Sequence, residues 1–390
     1  PIYFDHAATT PLCEEAFDKM KPYFTKPDFC HSVLNVSATL AEFLGAPNSN
    51  PILAELQTHL ANRPLKLVCI VFDGMGVHPL SVNKTSCPFL TEHMVSTLTS
   101  TFPSTTTCAT TSLATNTYPL QHGWFGWSMY FPDTKRNIDI FLGTDSQTGE
   151  SVQYESPLAD KPDFYYYKAN CEYAVHTVSP PHTVPHSPVI NHPYDDLEDF
   201  FVQLESICAT DGKQFVYAYC HEPDHTMHEN GVSSLEAATT IAYIDSTMQK
   251  LAQKYPLVTF VVTADHGQVD INDFTEFYLD KELCNMLVCP PYMEARAAAF
   301  RVKPQYKEIF VRKFNERYGD DFVLYPSQQL IDDGFFGPTG DKGYLLGDFI
   351  AIGTDTYKSL LPYENSPRFK GHHTSLTEEI LVPLIVIDSK

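Results

Sequence analysis

The stretch Ser100–Gly123, STFPSTTTCATTSLATNTYPLQHG, is the part of the chain from which we interpret the rest. Ser and Thr residues surround Pro103, and this composition is typical of turns and helix caps. Small and apolar residues follow from Cys108 to Ala114, and the segment 116–119, Asn-Thr-Tyr-Pro, indicates a helix end. The pattern predicts a helix with hydroxyl groups on its first turn. Such a hydroxyl would face the positive end of the helix dipole, which favours a bound phosphate oxygen.

Ser/Thr clusters before helices usually serve only as helix caps. Three acidic segments elsewhere in the chain indicate a further role for this stretch. Each segment follows a run of β-branched and aromatic residues that predicts a buried strand. In α/β proteins the carboxyl ends of parallel strands form the ligand sites, so we expect these segments to build one site. The segments are Phe72–Gly76 after Leu65–Val71, His221–His228 after Phe215–Tyr219, and Thr263–Gly267 after Leu257–Val262.

The composition is that of a globular protein with a substantial core. At 390 residues, the chain is long enough for one large α/β domain with insertions or for two domains. Hydrophobic residues at 43% argue against disorder, and the lack of any apolar run of 18 residues argues against a membrane span. A net charge of −22 argues against a nucleic-acid polymer as partner, so we expect a small phosphorylated substrate instead.

The ten cysteines show no CxxC pair and no regular spacing. Several of them fall in apolar segments, which favours free thiols in the core and a reducing compartment. The first residues carry no hydrophobic signal segment. We therefore predict a cytoplasmic protein, and the sequence leaves its oligomeric state open.

The order of predicted elements is that of an α/β domain over residues 31–390, after an N-terminal extension over residues 1–30. We expect residues 128–193 to form a cap insertion over the site and residues 290–345 to form a second insertion. Helices are predicted at Pro88–Leu98 and Tyr194–Ala209, among others. The apolar run Leu381–Ile387 is expected at the centre of a parallel sheet.

Six acidic and histidine side chains have the chemistry of a metal site. Asp224 and His228 are four residues apart, so one helical turn would place them on the same side. Mixed oxygen and imidazole ligands suit Zn²⁺, with Mn²⁺, Co²⁺ or iron as alternatives. Two metals with three protein ligands each would be satisfied by Asp73, Asp224, His228, Asp265, His266 and His373.

The same motifs resemble those of the alkaline phosphatase superfamily, and most closely its type I phosphodiesterase/nucleotide pyrophosphatase branch. The similarity extends from about Ser32 to Lys390, and it is carried by the order and approximate spacing of the motifs. These are Asp73-Gly74, the Ser/Thr stretch, Glu222-Pro223-Asp224 with His228, Asp265-His266-Gly267 and Gly371-His372-His373.

The resemblance implies a three-layer α/β/α sandwich with a largely parallel central sheet and an inserted cap. It also implies a hydrolase of phosphodiester or pyrophosphate bonds that works through a covalent phospho-threonine. Pro103-Ser104-Thr105-Thr106 matches the Pro-x-x-Thr element that carries the nucleophile in the branch, so the resemblance makes Thr106 the best candidate for the nucleophile. One zinc would be held by Asp224, His228 and His373, and the other by Asp73, Asp265 and His266 together with Thr106.

One position departs from the branch, whose phosphodiesterases place a phosphate-binding Asn after the His-Gly pair. Counting from Thr106, this chain has Trp127 there, either as a substrate contact or as a core aromatic residue. Two alternatives therefore stay open. One is a phosphomonoesterase or phosphonate hydrolase on the same scaffold, and the other is a non-catalytic metal-binding protein.

The first 28 residues resemble a different family. The segment PIYFDHAATTPLCEEAFDKMKPYF is similar to the opening of the pyridoxal-phosphate cysteine desulfurases. No Ser-x-His-Lys segment follows that would carry a Schiff-base lysine. We therefore interpret this segment as a fusion or a scar, without cofactor chemistry.

Overall fold

The computed structural model describes residues 25–155, 172–181, 189–374 and 376–389. The segment similar to cysteine desulfurases falls almost entirely within residues 1–24, which lie outside the described residues. At the end of the N-terminal extension, the Asp28 backbone N–H donates a hydrogen bond of 2.9 Å to Thr99 Oγ1. The last residues of the extension thus contact the main body of the protein.

Helices and strands are interspersed along the chain, as in an α/β fold. Within the described ranges the strands are β1 (Lys66–Phe72), β2 (Met94–Thr99), β3 (Ser128–Phe131), β4 (Arg136–Asp139), β5 (Thr144–Asp145), β6 (Ala174–Ser179), β7 (Ile190–Pro193), β8 (Gln214–Cys220), β9 (Val258–Thr263), β10 (Val269–Asp270), β11 (Asp273–Thr275), β12 (Tyr292–Glu294), β13 (Ala297–Phe300), β14 (Phe322–Pro326), β15 (Phe349–Gly353), β16 (Lys358–Leu360), β17 (Gly371–His372) and β18 (Leu381–Ile387). The α-helices are α1 (Val33–Leu44), α2 (Ala54–Leu60), α3 (Val77–Val82), α4 (Pro88–Glu92), α5 (Thr106–Thr115), α6 (Pro119–His122), α7 (Leu197–Cys208), α8 (Asp224–Asn230), α9 (Leu235–Lys254), α10 (Lys281–Met286), α11 (Lys307–Tyr318), α12 (Ser327–Asp332) and α13 (Thr377–Ile380).

A central sheet of seven described strands has the order β2-β18-β9-β1-β8-β6-β7. Its middle strand β1 pairs in parallel with both β8 and β9. The register aligns Phe72 with Cys220 and Val71 with Thr263, so the three strands end at the same edge. The segments that follow these strands, which carry the acidic and histidine residues, therefore meet there.

Helices pack against this sheet in the layered α/β/α arrangement expected from the sequence. The buried core joins β1, β8 and β9 to apolar side chains such as Leu40 of α1, Phe200 of α7 and Ile244 of α9. Because both faces of β1 are covered, all of its residues from Leu67 to Phe72 are buried. None of the helices in the described ranges is both long and apolar enough to cross a bilayer.

The prediction for Leu381–Ile387 is wrong in one respect. The segment is a strand, β18, but it runs antiparallel to both of its neighbours, β2 and β9. Its apolar sequence reports burial on both faces of the sheet, and burial does not fix the direction of a strand.

The prediction of one helix over Pro88–Leu98 is also wrong. Helix α4 ends at Glu92, and Met94–Thr99 forms the edge strand β2. Three of the six residues in MVSTLT (94–99) are β-branched, and an edge strand with an exposed face accommodates this composition better than a helix does. The predicted helix Tyr194–Ala209 is shorter than expected, because Asp196 caps α7 by accepting a 2.8 Å hydrogen bond from the Asp199 N–H.

A second sheet of seven described strands, in the order β14-β15-β13-β12-β3-β4-β5, is antiparallel throughout. It unites strands from the two segments that we expected to be separate insertions, 128–193 and 290–345, and adds β15. The segment 128–193 is divided, because β6 and β7 belong to the central sheet. The eight cysteines among the described residues are free, in agreement with the sequence analysis.

Candidate active site

Thr106 is the first residue of α5 and lies beside the carboxyl edge of the central sheet. Between Ser100 and Ala109 it is the one residue that is not buried. Its Oγ1 lies 3.2 Å from Asp73 Oδ2 and 3.2 Å from His266 Nε2. The hydroxyl therefore faces the ligand cluster from the positive end of a ten-residue helix.

Asp73, Asp224 and Asp265 each follow the end of one of the three aligned strands. The Asp224 N–H donates to the Asp73 carbonyl at 3.0 Å, which joins the segments after β8 and β1. This approach requires glycine at position 74, where φ is +69° and a Cβ would lie 2.9 Å from Asp224 Oδ1. The Gly74 N–H donates to Asp265 Oδ1 at 3.1 Å, which joins the third segment.

The ligand atoms of Asp73, Asp265 and His266 lie within 4.8 Å of one another. His266 Nε2 is 3.1 Å from Asp73 Oδ1 and 3.7 Å from Asp265 Oδ2. These residues, with Thr106 at hydrogen-bond distance from two of them, are the set that the resemblance implies for one of the two metals.

The second group differs in one member from the set implied by the resemblance. The ligand atoms of Asp224, His266 and His373 lie within 4.8 Å of one another, so His266 stands where His228 was expected. His228 remains beside this group, because its Nε2 is 3.1 Å from Asp224 Oδ2. The rings of His266 and His373 are stacked with centroids 3.7 Å apart, so the two groups are contiguous.

Backbone carbonyls orient the three imidazoles in the same way. The Nδ1 atoms of His228, His266 and His373 lie 2.7 Å, 2.9 Å and 3.0 Å from the carbonyl oxygens of Gly371, Gly267 and Ser104, respectively. A hydrogen bond from Nδ1–H leaves the lone pair on Nε2, which is the arrangement found in histidine metal ligands.

The buried carboxylates have strongly perturbed acidities. Burial and the neighbouring Asp73 raise the pKa of Asp265 well above its ordinary value. Burial alone would raise the pKa of Asp224 too, but the nearby His228 lowers it to about 2. For His373, burial holds the pKa well below the ordinary range, which favours the neutral imidazole. Neutral imidazoles and carboxylates are the protonation states in which these side chains bind metals.

One further observation supports the fit of these donor atoms to divalent metals. Asp265 Oδ2 is buried and accepts no hydrogen bond from any described residue, although a buried carboxylate oxygen normally has a partner. A cation held between Asp265, Asp73 and His266 would supply this partner. The donors are carboxylate oxygens and imidazole nitrogens, which suit Zn²⁺.

Four other histidines in or beside the sequence motifs are not members of the two ligand groups. His221 Nδ1 is 2.9 Å from the Tyr194 hydroxyl, and the side chain of His225 is 61% exposed. His372 is buried, and its Nδ1 accepts a hydrogen bond from the His373 N–H. His122 is fully buried, lies 3.0 Å from Ser112 Oγ and accepts from the Trp124 N–H, so it orients the end of α6 as expected.

Three residues at the site were not found from the sequence. The Tyr219 hydroxyl donates to Asp73 Oδ2, and the Gln268 side-chain amide donates to Asp224 Oδ1. Burial and Asp73 raise the pKa of Tyr219 well above its ordinary value, so this hydroxyl keeps its proton. In the sequence, Tyr219 cannot be distinguished from the other residues of a core strand. Gln268 could have been recognised, because it is a polar residue directly after Asp265-His266-Gly267.

The third is Glu294 of β12, on the second sheet. Its Oε1 accepts hydrogen bonds from Thr105 Oγ1 at 2.6 Å and from the Trp127 N–H at 2.7 Å. Burial raises the pKa of Glu294 to about 7. Glu294 thus links the Trp127 backbone to Thr105, the residue before Thr106. Trp127 itself remains 38% exposed.

A cavity of about 1340 Å³ opens beside the ligand cluster. One wall comes from the central-sheet edge, including Thr106 and Asp73, and the other from the second sheet, including Trp127 and Glu294. The cavity is large enough for a drug-sized ligand, and its position makes Thr106 accessible to such a molecule.

An α/β sandwich with a hydroxyl and two contiguous carboxylate–imidazole groups at its carboxyl edge defines a class of metal-dependent phosphoester hydrolases. The family profile described as type I phosphodiesterase / nucleotide pyrophosphatase matches residues 67–376. The chain belongs to this family and is a hydrolase of this kind. No comparison shows a relationship to cysteine desulfurases, and no curated protein sequence matches the chain.

Solved structures share the fold. Murine ectonucleotide pyrophosphatase/phosphodiesterase 5, an inactive variant in complex with AMP, is 18% identical, with a TM-score of 0.62 over 83% of this chain and 88% of that chain. The human protein of the same name is 16% identical, with a TM-score of 0.60 over 83% and 88%. Phosphonoacetate hydrolase from Sinorhizobium meliloti in complex with phosphonoacetate is 16% identical, with a TM-score of 0.60 over 83% and 90%.

Proposed function

We propose that the protein hydrolyses phosphodiester or pyrophosphate bonds of small molecules through a covalent phospho-threonine on Thr106. The observation that carries this proposal is the position of Thr106 Oγ1, which lies at the start of α5 within 3.3 Å of both Asp73 carboxylate oxygens and of His266 Nε2. The hydroxyl faces the cavity, so a substrate phosphorus can approach it.

In this mechanism, Thr106 Oγ1 attacks phosphorus and the first alcohol leaves. The proton of Thr106 passes to the Asp73 carboxylate, which lies at hydrogen-bond distance from Oγ1. The helix start at Thr106 stabilises the negative charge on the phosphoryl oxygens. Water then attacks the phospho-threonine, and the phosphate monoester of the remaining alcohol is released.

Two divalent metals, with Zn²⁺ as the best chemical fit, complete the site in this proposal. Asp73, Asp265 and His266 would hold one, and Asp224 and His373, with His228 or the shared His266, would hold the other. Bound there, the metals would supply Lewis-acid stabilisation of the charge that develops on the phosphate. The cytoplasmic location remains a prediction that rests on the cysteine pattern.

The test compares the hydrolysis of bis-p-nitrophenyl phosphate with that of p-nitrophenyl phosphate by zinc-loaded protein. We expect a rate ratio well above one. Thr106→Val should lower the diester rate by at least about a thousandfold while metal content is unchanged. Thr107→Val is the matched control, because the Thr107 hydroxyl is buried and has no hydrogen-bond partner among the described residues.

The outcomes separate the alternatives. A ratio below one would favour a phosphomonoesterase, and turnover of phosphonoacetate in place of either ester would favour a phosphonate hydrolase. Full diesterase activity in Thr106→Val would refute the proposed nucleophile.

A further inference from the structure

Two histidines and a glutamate outside the proposed metal ligands lie on α8 and the turn before it. His221, His225 and Glu229 follow one another at intervals of four residues, and the His225 N–H donates to the His221 carbonyl at 3.2 Å. Helical geometry therefore begins at His221. Because residues four apart in a helix lie on the same side, this spacing places two imidazoles and a carboxylate along one side of the segment. We name these three residues the rim cluster.

The rim cluster lies at the open edge of the cavity. All three residues line it, while the side chains of His225 and Glu229 are 61% and 63% exposed. The segment follows β8, so the rim cluster belongs to the central-sheet side of the cavity. A molecule bound by these side chains would be reached directly from solvent.

The side chains of the rim cluster are close to the geometry of a shared ligand. His225 Nε2 is 3.7 Å from Glu229 Oε1, and the rings of His221 and His225 have centroids 6.1 Å apart. Two imidazoles that bind one zinc ion through Nε2 place their centroids about 5 Å apart. The ligand atoms are thus less tightly gathered than in the two groups within 4.8 Å, but a small rotation of the exposed His225 ring would close the gap.

Tyr194 fixes the orientation of one imidazole. Its hydroxyl lies 2.9 Å from His221 Nδ1 and accepts the His221 backbone N–H at 3.1 Å. The two rings are stacked with an interplanar angle of 7°. With Nδ1–H donating to this hydroxyl, the lone pair of His221 lies on Nε2, which is the arrangement of a histidine ligand. A His–Glu contact on a helix surface is common by itself, but the second, oriented imidazole is not needed for such a contact.

The charge around the rim cluster favours a cation. Asp195 lines the same cavity, and among the described lining residues there is no Lys or Arg. A cavity lined by one sign of charge raises the local concentration of ions of the opposite sign.

We propose that His221, His225 and Glu229 bind a third divalent cation at the rim of the cavity, with Zn²⁺ as the best chemical fit. Two imidazoles and one carboxylate are a zinc ligand set, and water completes the fourth position. Because two of the three side chains are exposed and must be ordered, this ion binds more weakly than those of the ligand cluster. The inference goes beyond the proposed function and does not depend on hydrolysis.

The test counts the zinc ions bound per chain. Zinc-loaded protein is dialysed against a series of zinc buffers, and elemental analysis gives the number of ions at each concentration. We expect wild type to bind one weak ion in addition to the tightly bound ions of the ligand cluster. His225→Asn should raise the Kd of the weak ion at least about a hundredfold, since loss of a partner that only orients a ligand already costs about 10–100-fold.

Two further variants connect the weak ion to the structure. Tyr194→Phe keeps the ring and removes the hydroxyl, so it should raise the Kd of the weak ion about tenfold. His59→Asn is the matched control and should bind this ion as wild type does. His59 Nδ1 lies 2.8 Å from Asp388 Oδ2, but this residue has no histidine four positions before or after it.

Three results would overturn the inference. One is a wild-type protein without a weak ion, and another is an unchanged Kd of this ion in His225→Asn or an equal loss in His59→Asn. The third is loss of a tightly bound ion in His225→Asn, which would place His225 in the ligand cluster. If no diester is hydrolysed, the proposed function fails, but the count of zinc ions still decides whether the rim cluster is a metal site.

Discussion

The central sheet and the second sheet contribute different kinds of side chain to the same cavity. Parallel strands of the central sheet end level with one another, so acidic and histidine residues that are far apart in sequence converge into a tight ligand cluster. The antiparallel second sheet contributes a wall of aromatic and carboxylate side chains, with Glu294 as its hydrogen-bonded link to the residue before Thr106. We infer that the first region determines the reaction, and the second determines which substrate undergoes it.

The largest effect should come from Asp265→Asn. The change removes a charge from the ligand cluster at nearly constant volume, so we expect the loss of one metal per chain and a fall in kcat/KM of about ten-thousandfold. Metal content by elemental analysis and diester hydrolysis would measure this. Glu294→Gln, on the opposite wall, should retain both metals. Loss of metal in that variant would contradict the division of roles.

A buried ion pair is the second test, because it ties the two regions together. Arg296, between β12 and β13, is fully buried and donates to Glu379 of α13, which follows the ligand segment. Its other nitrogens donate to the carbonyls of Lys358 and Thr354. Arg296→Met leaves the buried carboxylate without its charge partner, and we expect a loss of about 3–5 kcal/mol in the free energy of unfolding.

Chemical denaturation of wild-type and Arg296→Met protein would give this loss. Lys250→Met, an exposed cation on α9, is the comparison and should change stability by less than about 1 kcal/mol. Equal stability of Arg296→Met and wild type would show that the two sheets do not depend on this ion pair.

The ionisation of Glu294 should make the stability of the protein depend on pH. In the unfolded chain this carboxyl loses its proton near 4.5, whereas in the folded protein it does so near 7. The folded state thus holds a proton that the unfolded state has released, so wild type loses stability relative to Glu294→Gln as pH rises from about 4.5 through 7. The loss should reach about 3 kcal/mol at most.

Thermal unfolding of both proteins between pH 4 and 8, with a chelator present, would reveal this difference. The Gln side chain keeps an oxygen to accept the Thr105 and Trp127 hydrogen bonds, so the comparison isolates the charge. A constant difference in melting temperature across this pH range would show that Glu294 has an ordinary pKa.

The smallest effect should come from Tyr219→Phe. The Tyr219 hydroxyl donates to Asp73, so its removal should weaken metal binding about tenfold and leave the metal count unchanged at saturation. Competition with a chromophoric chelator would measure the affinity. Tyr344→Phe should bind metal as wild type does, and the same affinity in Tyr219→Phe would exclude a supporting role.

Much of the central sheet was predictable because its strands are buried on both faces. Continuous apolar runs identified β1, β8 and β9, and the polar residues directly after them identified the ligand segments. The direction of β18 and the division of Pro88–Leu98 between α4 and β2 were missed, because apolar content reports burial and not the partner of a strand. The second sheet was missed as a unit, since its short strands come from segments more than 140 residues apart.

The sequence by itself determined that this chain is an α/β protein of the phosphodiesterase family, and it predicted a threonine at a helix start with carboxylate and imidazole groups at strand ends. These are local features, written in residue type and spacing. Only the tertiary structure decided which carboxylates and imidazoles lie close enough together to hold one metal, and that Tyr219 and Gln268 donate to them. It also decided that Glu294, Trp127 and Phe141 line the same cavity as Thr106. Those contacts depend on how two sheets pack, and no local pattern encodes that packing.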